Sequence, residues 1–436
     1  MMIFLPSPVL TLGLIIGVNV FLNLQSFNKD WSFILGGMTA DQPFMLLLPC
    51  LFYLISFCVF KFDDSIKLLR SLDDEDDIVL ATVICAGLSI MISFYHIYCS
   101  IVTRLSSRHA LSAAGLSVPT PLSLFSGFLR WELFPFSPFS PSKTTITDIT
   151  IKTVPCKSVP SMQSSSFEAE KGTQEVRCDV HYHPSTTSKP VILYIHGGAW
   201  VLGGKDLGII TAFIDRAVEL DWVVVSLDYR LCPHASFDDM LGDCKDAVKW
   251  IRSGGLSSSC DREGLKVDPS ALVIAGDSAG GHLCNLVHLN GAKDGTGVDG
   301  IIDMFGPMDI ITPPTTLKLF EAAVFKRAYR GNEEVFKMAS PSSYDLPTIL
   351  SAKPKIPWLN FIGTTDGLVP IKHNRTYYST VASIYGPSGP LVRVEVPGSF
   401  HGFCGIYSHK TDTFLEACEA ILIKVREDKL EKDSRI

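Results

Sequence analysis

The sequence predicts an α/β protein with a mostly parallel central sheet, helices on both faces of that sheet, and hydrophobic helices preceding it. Three observations support this prediction. From about residue 145 onward, short apolar runs alternate with stretches of helical periodicity. These apolar runs are mostly continuous, which is typical of strands buried on both faces of a parallel sheet. The first 104 residues instead contain long runs without any charged side chain.

Residues 1–104 are predicted to form a membrane region. No charged side chain occurs in Met1 to Asn28, Gln42 to Phe60 or Ile78 to Thr103. A helix needs about 20 mostly apolar residues to cross a bilayer, so the third run is long enough and the second is at the lower limit. We expect two or three transmembrane helices in an integral protein of the endoplasmic reticulum or another endomembrane. A cleaved signal peptide is the alternative for the first run, but no Lys or Arg precedes Lys29.

The side of the membrane that holds the rest of the chain stays open. Lysines and arginines next to the apolar runs are equally frequent on the two sides, which gives no positive-inside bias. One N-glycosylation sequon, Asn374-Arg375-Thr376, can be used only if it faces a secretory lumen. The sequence therefore leaves open the sidedness, the glycosylation of Asn374 and the oligomeric state.

The composition excludes several classes of function. Of the 436 residues 47% are apolar and 19% are charged, which excludes an intrinsically disordered chain. With 38 Lys and Arg against 45 Asp and Glu the net charge is −7, so we expect no nucleic-acid partner. No phosphate-loop pattern occurs, and His181 and His183 lack a third metal ligand, so we expect no cofactor and no metal.

After the membrane region the chain divides into three parts. Residues 105–145 are predicted to be a Pro- and Phe-rich connector, residues 146–427 the α/β domain, and residues 428–436 a charged tail. The predicted strands are 147–154, 175–183, 191–196, 222–229, 271–276, 301–306, 358–363 and 391–396. The first two follow each other without a long helix, so the sheet should be mixed with an antiparallel start. The clearest helix is 237–251, where apolar residues recur every three or four positions.

Gly276-Asp277-Ser278-Ala279-Gly280 joins a predicted buried strand to a predicted helix. This G-x-S-x-G pattern in that setting is typical of a nucleophile elbow, a tight turn that projects the serine hydroxyl above the sheet. The two glycines leave room for the turn, and the helix N-terminus favours developing negative charge. We therefore expect Ser278 to be a nucleophile and Asp277 to help position the turn.

A second glycine-containing turn, HGGAW at 196–200, ends the strand predicted at 191–196. Glycines let backbone N–H groups come close to a ligand, and in acyl transfer such donors stabilise an oxyanion by about 3 kcal/mol each. His196 is expected to anchor this loop instead of acting as a base. The predicted oxyanion hole consists of the backbone N–H groups of Gly197, Gly198, Ala199 and Ala279.

These motifs together resemble a known family. HGGAW at 196–200, DYRLCP at 228–233 and GDSAGG at 276–281 are similar to three motifs of the hormone-sensitive-lipase-like, arylacetamide-deacetylase-like esterases. The resemblance covers about residues 145–425 and implies the α/β-hydrolase fold. Ala199 stands where the family usually has a third glycine, which implies tighter acyl access and poorer acceptance of tertiary-alcohol esters. We also expect Asp228 and Arg230 of the second motif to form a buried ion pair.

The resemblance also supplies an acid and a base. GTTDGLVP at 363–370 matches the family's acid loop, and PGSFHGF at 397–403 resembles its catalytic-histidine loop. In this fold the triad follows in the order serine, acid, histidine, as Ser278, Asp366 and His401 do. A histidine with an ordinary pKa near 6.5 can take and return the serine proton near neutrality. The acid would orient the imidazole.

Two further carboxylates, Asp303 and Asp309, lie near the end of a predicted strand and compete for the role of the acid, but neither matches the acid-loop pattern. Residues 307–350 look like the family's cap insert. An amphipathic helix predicted at 317–330 would either line the acyl pocket or pack on neighbouring helices. The residues on its apolar face are Leu317, Phe320, Ala323 and Val324.

The sequence thus predicts a membrane-anchored serine carboxylesterase or lipase that hydrolyses a lipophilic ester through an acyl-enzyme. Its partners would be the ester substrate and the membrane. Two alternatives stay open. The same triad would serve an acyltransferase if an alcohol outcompetes water, and some relatives of this fold are catalytically silent ligand-binding modules.

Overall fold

The computed structural model describes residues 75–118, 143–155, 173–206, 211–294, 296–405 and 408–434. The first two apolar runs, most of the connector and the last two residues lie outside these ranges. The described residues form one sheet of eight strands in the order β1-β2-β4-β3-β5-β6-β7-β8. The strands are β1 Thr144–Pro155, β2 Thr173–Tyr182, β3 Lys189–Ile195, β4 Val223–Asp228, β5 Val267–Asp277, β6 Gly300–Met304, β7 Trp358–Gly363 and β8 Leu391–Val396.

The strand directions confirm the predicted α/β class. β1 pairs antiparallel with β2, and β2 pairs antiparallel with β4. Every other pair, from β4 and β3 to β7 and β8, is parallel. The sheet is therefore mixed with an antiparallel start, as predicted from the two strands that follow each other without a long helix. Its parallel strands all end at the same edge, which we call the catalytic edge because the site described below lies there.

Helices cover both faces of the sheet. The α-helices are α1 Glu75–Ala113, α2 Thr211–Glu219, α3 Phe237–Arg252, α4 Gly255–Ser259, α5 Ala279–Asp294, α6 Pro314–Leu319, α7 Glu333–Met338, α8 Leu346–Ser351, α9 Ile371–Tyr385 and α10 His409–Asp433. Shorter turns are the π-helix Phe320–Val324 and the 3-10 helices Asp261–Glu263, Pro341–Ser343 and Phe403–Gly405.

The continuous apolar strands separate two hydrophobic cores. In β3, Leu193 and Ile195 belong to the core with α3, α5 and α9, whereas Ile192 and Tyr194 belong to the core with α2 and α10. Successive side chains of a strand point to opposite faces, so a strand between two cores must be apolar throughout. This explains why the central strands appear in the sequence as unbroken apolar runs.

The helix α3 shows how local sequence signals set the ends of an element. The Ser236 side chain accepts a hydrogen bond from the backbone N–H of Asp239, whose carboxylate accepts one from the Ser236 N–H, so the two form a capping box. The apolar positions predicted at three- and four-residue spacing, including Met240, Ala247 and Ile251, are all buried. The predicted helix is therefore confirmed.

The third apolar run lies within α1, which continues beyond the end of that run at Thr103 as far as Ala113. The second half of α1 packs on the rest of the α/β domain, which we call the body. Leu111 is fully buried there, and Arg104 and Arg108 both contact Glu416 of α10. Among the residues that the structure describes, no helix has the length and apolarity needed to cross a membrane.

The predicted extent of the amphipathic helix, residues 317–330, is wrong. α6 ends at Leu319, a π-helical turn follows over Phe320–Val324, and Lys326 has a left-handed φ of 52° that ends the helical path. Phe320 is fully buried among other aromatic rings. Tertiary packing of this ring prevails over the local helical pattern, which extends further along the sequence than the helix does.

Candidate active site

The turn between β5 and α5 holds Ser278 in a strained conformation. Ser278 has φ 51°, a left-handed value that is uncommon outside glycine. Its backbone N–H donates to the Met304 carbonyl of the neighbouring strand at 2.8 Å. A Cβ atom on Gly276 would collide with the backbone of Gly280, and one on Gly280 would collide with the Ile195 carbonyl. The two glycines are therefore required by close backbone approach, as the elbow pattern predicts.

Three side chains from separate loops meet at this turn. His401 Nε2 lies 2.8 Å from Ser278 Oγ, and His401 Nδ1 lies 2.8 Å from Asp366 Oδ2. The Asp366 side chain is fully buried and that of His401 is 8% exposed. The structure thus brings together all three predicted triad residues, in hydrogen-bonding order and almost out of contact with water.

Asp366 is held on its other side by the backbone. Its Oδ1 accepts hydrogen bonds from the N–H groups of Leu368 at 2.9 Å and Val369 at 2.8 Å. The Phe305 ring stands edge-on to the His401 imidazole with 4.8 Å between ring centres. These contacts fix both the carboxylate and the imidazole without any substrate.

The two competing acids are engaged elsewhere. Asp303 is fully buried in β6 and accepts hydrogen bonds from Tyr378, Asn360 and the Gly306 N–H. Burial raises the pKa of Asp303 to about 6, although these donors act in the opposite direction. Asp309 accepts from two backbone N–H groups of its own turn and lies 3.3 Å from His373. Their described contacts are structural, so Asp366 is the carboxylate that faces the base.

The loop after β3 places its backbone against the elbow. Gly198, Ala199 and Trp200 all have positive φ, at 123°, 52° and 64°. Within the described residues, no hydrogen bond is recorded from the N–H groups of Gly198 and Ala199. The N–H of Ala279, at the first position of α5, has no partner within its helix because the first turn of a helix leaves its donors unpaired. These donors are available to an oxyanion.

The prediction that the Gly197 N–H belongs to the oxyanion hole is wrong. Its N–H donates to Asp277 Oδ1 at 2.9 Å, so it is not directed at a substrate. Tyr194 of β3 donates its hydroxyl to the same oxygen at 2.6 Å. Burial raises the pKa of Asp277, and the two hydrogen bonds favour the charged form. Asp277 therefore ties the elbow to the oxyanion loop, in the positioning role predicted for it.

The predicted ion pair between Asp228 and Arg230 is also wrong. Arg230 donates through Nε and Nη2 to both carboxylate oxygens of Asp243 in α3, at 2.8 and 2.7 Å. Asp228 ends β4, where burial raises its pKa to about 6 and Lys205 opposes that shift. Arg230 lies two residues beyond the end of the strand and reaches the first turns of α3, which the sequence spacing alone does not reveal.

His196 occupies the anchoring position predicted for it. Its ring stacks on Tyr229 with 4.4 Å between centres, and Nδ1 lies 2.7 Å from the Gly197 carbonyl. Burial lowers the pKa of His196 to about 4, so the ring is neutral at pH 7. His181 and His183 bind Thr145 and the Pro184 carbonyl. The described ranges contain no cluster of residues that could hold a metal ion.

One positioning residue, His282 in the first turn of α5, was not predicted. The Trp200 indole N–H donates to His282 Nδ1 at 3.2 Å, and His282 Nε2 donates to the Ala339 carbonyl at 2.7 Å. Burial lowers the pKa of His282 to about 4, which keeps it neutral in this bridge. His282 thus connects the oxyanion loop, the nucleophile helix and the insert between β6 and β7. In the sequence it is only a histidine in an apolar helix.

Aromatic side chains close the site on the side of that insert. The Phe320 ring lies 4.5 Å from the Trp200 ring and 6.0 Å from Phe237, and Phe325 lies 5.5 Å from Phe320, all between ring centres. Phe320 and Val324 of the predicted apolar face are buried in this cluster, whereas Leu317 and Ala323 are partly exposed. The surroundings of the oxyanion loop are therefore apolar.

Comparison with known proteins agrees with this geometry. The family model BD-FAE matches residues 178–381. Esterase LipC of Mycobacterium tuberculosis is 29% identical over 50% of this chain and 54% of its own length. Arylacetamide deacetylase of Oryctolagus cuniculus is 30% identical over 42% of each chain. The chain spans about half the length of the curated relatives it matches.

A solved structure supports the same fold. Esterase B from Lactobacillus rhamnosis, inhibited by a tributyrin phosphonate, has a TM-score of 0.51 at 14% identity, covering 77% of this chain and 98% of that one. At this identity the likeness concerns the fold alone. The described part of the chain therefore has the α/β-hydrolase fold, and its sequence likeness is to esterases of that fold.

Proposed function

We propose that this protein is a membrane-attached serine hydrolase of carboxylic esters. The observation that carries the proposal is the chain of hydrogen bonds from Ser278 through His401 to Asp366, with 2.8 Å at each step. It lies beside a helix N-terminus and a loop with available N–H donors, which are the parts that acyl transfer needs. Relatives that carry the names esterase and carboxylesterase support the same reaction class.

In the proposed reaction Ser278 Oγ attacks the ester carbonyl carbon while His401 Nε2 accepts the hydroxyl proton. The carbonyl electron pair moves onto oxygen, where the N–H groups of Gly198, Ala199 and Ala279 stabilise the negative charge. The bond to the alkoxy oxygen then breaks, and His401 donates its proton to the departing alcohol. A water molecule then attacks the acyl carbonyl carbon while His401 accepts its proton. The bond to Ser278 Oγ breaks, His401 returns the proton to that oxygen, and the carboxylic acid is released.

Asp366 acts through the imidazole in this scheme. It accepts a hydrogen bond from Nδ1–H, which places the lone pair of Nε2 toward the serine hydroxyl. During each proton transfer it stabilises the imidazolium without taking the proton itself. Because its second oxygen accepts from two backbone N–H groups, the carboxylate keeps its orientation throughout.

Membrane attachment and a lipophilic substrate complete the proposal. The support is the sequence of residues 1–104, in which long runs carry no charge. The aromatic cluster of Trp200, Phe237, Phe320 and Phe325 beside the oxyanion loop supplies an apolar environment for an acyl or alkyl group. An ester that partitions into lipid would reach such an enzyme at a high local concentration.

Covalent labelling tests the reaction class. A fluorophosphonate probe should label the full-length protein on Ser278, and Ser278→Ala should lose that label. The matched control is Ser383→Ala, an exposed serine of α9 whose replacement should leave labelling unchanged. Equal labelling of wild type and Ser278→Ala would contradict the assignment.

Alkaline carbonate extraction of membranes tests the attachment. The full-length protein should remain in the membrane pellet, since apolar segments in a bilayer are not released by loss of ionic contacts. Its complete release into the supernatant would contradict membrane insertion without affecting the proposed chemistry.

A further inference from the structure

The orientation of α1 relative to the active site follows from two of its contacts. In the second half of α1, Arg108 Nη1 lies 3.4 Å from Glu416 Oε2 of α10. Just after α1, Ser117 Oγ lies 3.5 Å from Glu427 Oε1. From Arg108 to Ser117 the chain advances by nine residues, and the contacted residue of α10 advances by eleven, from Glu416 to Glu427. α1 and α10 run parallel.

The direction of α10 is fixed by what precedes and follows it. It begins at His409, shortly after the His401 loop at the catalytic edge, and its last turn carries Lys432, 3.9 Å from Asp299 just before β6. β6 starts at the opposite edge of the sheet. α10 thus leads away from the active site, and so does α1, which means that α1 reaches the body from the catalytic edge.

The first part of α1 projects beyond that edge. Among the side chains of α1 whose burial the structure describes, Cys99, Ser100 and Thr103 are buried, whereas Tyr98 before them is 62% exposed. Residues 75–98 precede this point, and 24 helical residues rise about 36 Å. This first part of the helix therefore extends outward from the catalytic edge, on the side on which Ser278 opens.

Large apolar side chains are exposed on this side of the molecule. Met91, Phe94 and Tyr98 recur at helical spacing on α1 and are between 57% and 62% exposed. On the body, Leu202 of the oxyanion loop is 67% exposed and Leu368 of the acid loop is 48% exposed. Both loops follow the carboxyl ends of strands, so these two leucines flank the catalytic triad on its outer side.

The opposite edge has a different character. A shallow hollow there is lined by charged side chains of α10 and its surroundings, among them Asp299, Lys355, Asp428 and Lys432. Leu430, 68% exposed, is flanked in the sequence by Lys429 and Glu431, two charged residues of the same lining. A second hollow at this edge has an apolar lining that includes Ala110, Ala114 and Leu391. The difference between the edges therefore lies in the large exposed apolar side chains, of which several occur at the catalytic edge.

We propose that the catalytic edge faces the lipid bilayer, so that the ester reaches Ser278 from the membrane. This rests on the proposed membrane attachment and adds an orientation to it. The occupant of the apolar edge is identified by the chain that leads to it. Residues 1–74 join α1 at Glu75, on the projecting end, and their sequence includes the uncharged runs Met1 to Asn28 and Gln42 to Phe60. A bilayer that receives these runs lies on the same side as Leu202 and Leu368.

Spin labels at four positions test this orientation. Leu202→Cys, Leu368→Cys and Tyr98→Cys place a nitroxide at the catalytic edge, and Leu430→Cys is the matched control at the opposite edge. Eight cysteines, from Cys99 to Cys418, are buried, and the unsubstituted protein carried through labelling gives the background from the remaining ones. The full-length protein is reconstituted in phosphatidylcholine vesicles, and collisions of each nitroxide with oxygen and with a water-soluble nickel chelate are measured.

We expect the ratio of oxygen to nickel collisions to be several-fold higher at positions 202, 368 and 98 than at position 430. Equal ratios at 202, 368 and 430, or a higher ratio at 430, would overturn the proposal. Labelling of Ser278 by a fluorophosphonate verifies that each variant is folded, and Leu202→Trp and Leu368→Trp, quenched by brominated lipid, replace any cysteine variant that fails. Protein that leaves the vesicles in carbonate contradicts the attachment itself, whereas retained protein with a water-exposed catalytic edge contradicts only the orientation.

Discussion

At the scale of single residues, the carboxyl group of Asp366 binds in two directions. One oxygen accepts from the His401 ring and the other from the backbone N–H groups of Leu368 and Val369. The backbone bonds hold the carboxylate in one rotamer, and the carboxylate in turn selects the imidazole tautomer that leaves Nε2 free to accept a proton. The backbone thus orients the carboxylate, and the carboxylate orients the imidazole.

Substitution of Asp366 and of Asp309 should show which of the two carboxylates serves His401. Asp366→Asn keeps the shape of the side chain but favours the wrong imidazole tautomer, so kcat for ester hydrolysis should fall by about 10³–10⁴ with a small change in KM. Asp309→Asn is the matched control, because Asp309 binds its own turn and His373 instead. Steady-state kinetics on a soluble p-nitrophenyl ester measures both. A larger loss in Asp309→Asn than in Asp366→Asn would exchange their roles.

Which residues of the site are predictable depends on the range of the interaction that defines them. Ser278 is marked by glycines two positions away, and Asp366 by its own loop pattern, so each has a local signal. The engagement of the Gly197 N–H by Asp277 and the partnership of Arg230 with Asp243 have none, because each joins elements that meet only in the folded sheet. His282 escaped prediction for the same reason.

At the scale of elements, α5 combines the nucleophile elbow with an acid-sensitive core. His288 lies two turns beyond His282 on this helix, is 5% exposed, and stands edge-on to the Trp358 ring at 5.2 Å between centres. Its Nε2 has no hydrogen-bond partner among the described residues. Burial, with a smaller effect of Lys353, lowers the pKa of His288 to about 3.

This pKa predicts a loss of stability in acid. The unfolded histidine has a pKa near 6.5, so between pH 6.5 and pH 3 the unfolded chain binds a proton that the folded chain does not. The free energy of unfolding should therefore fall as the pH falls, with about 2 kcal/mol from this residue between pH 6.5 and pH 5. Urea unfolding at the two pH values should show a smaller loss in His288→Leu than in wild type.

His183→Leu, which replaces an exposed histidine just after β2, is the control for that experiment and should show the wild-type loss. Part of the acid sensitivity remains in His288→Leu, because burial also lowers the pKa of His196 and His282 to about 4. An unchanged pH dependence in His288→Leu would show that this histidine is protonated in the folded protein.

The burial of Asn374 in α9 predicts that the sequon Asn374-Arg375-Thr376 is not glycosylated in the folded protein. Asn374 is 1% exposed, and its amide donates to the Gly306 carbonyl at 3.0 Å. A glycan on that nitrogen could not fit inside the fold, because the side chain is buried. The folded, probe-reactive protein should therefore show no change in mass on treatment with a peptide N-glycosidase.

An accessible sequon provides the positive control. Ser257→Asn creates one with Ser259 in the short helix α4, where Ser259 is exposed. Glycosylation of this variant in microsomes would place the domain in the lumen and make the absence of a glycan on Asn374 a property of the fold. A glycan on Asn374 in protein that still reacts with a fluorophosphonate would contradict the structure of α9.

The insert between β6 and β7 marks where element prediction fails. Its sequence continues a helical pattern to residue 330, yet the helix stops near Val324, where Phe320 and Phe325 turn into an aromatic cluster with Trp200. Periodicity predicts which face is apolar, but the length of a short helix is decided by the partner it packs against. The long helix α3 was predictable because its capping box and its apolar spacing are both local features of the sequence.

At the scale of the whole molecule, the sheet gathers residues that are far apart in sequence. The loop with the proposed oxyanion donors follows β3, Ser278 follows β5, Asp366 follows β7 and His401 follows β8. Parallel strands end at one edge, so these four loops meet there. The fold class and the triad are predictable because strand order along the chain and local motifs suffice for both, whereas the orientation of α1 toward the catalytic edge required its contacts with α10.

The most direct test of this account is ester hydrolysis by the purified full-length protein and its Ser278→Ala variant. The wild type should turn over a p-nitrophenyl ester, and Ser278→Ala should lower kcat by about 10⁶-fold or to the rate without enzyme, while remaining folded by circular dichroism. Equal turnover by the two proteins, or no turnover by wild type on a panel of short and long acyl chains, would contradict the proposal that Ser278, His401 and Asp366 form the catalytic centre of an esterase.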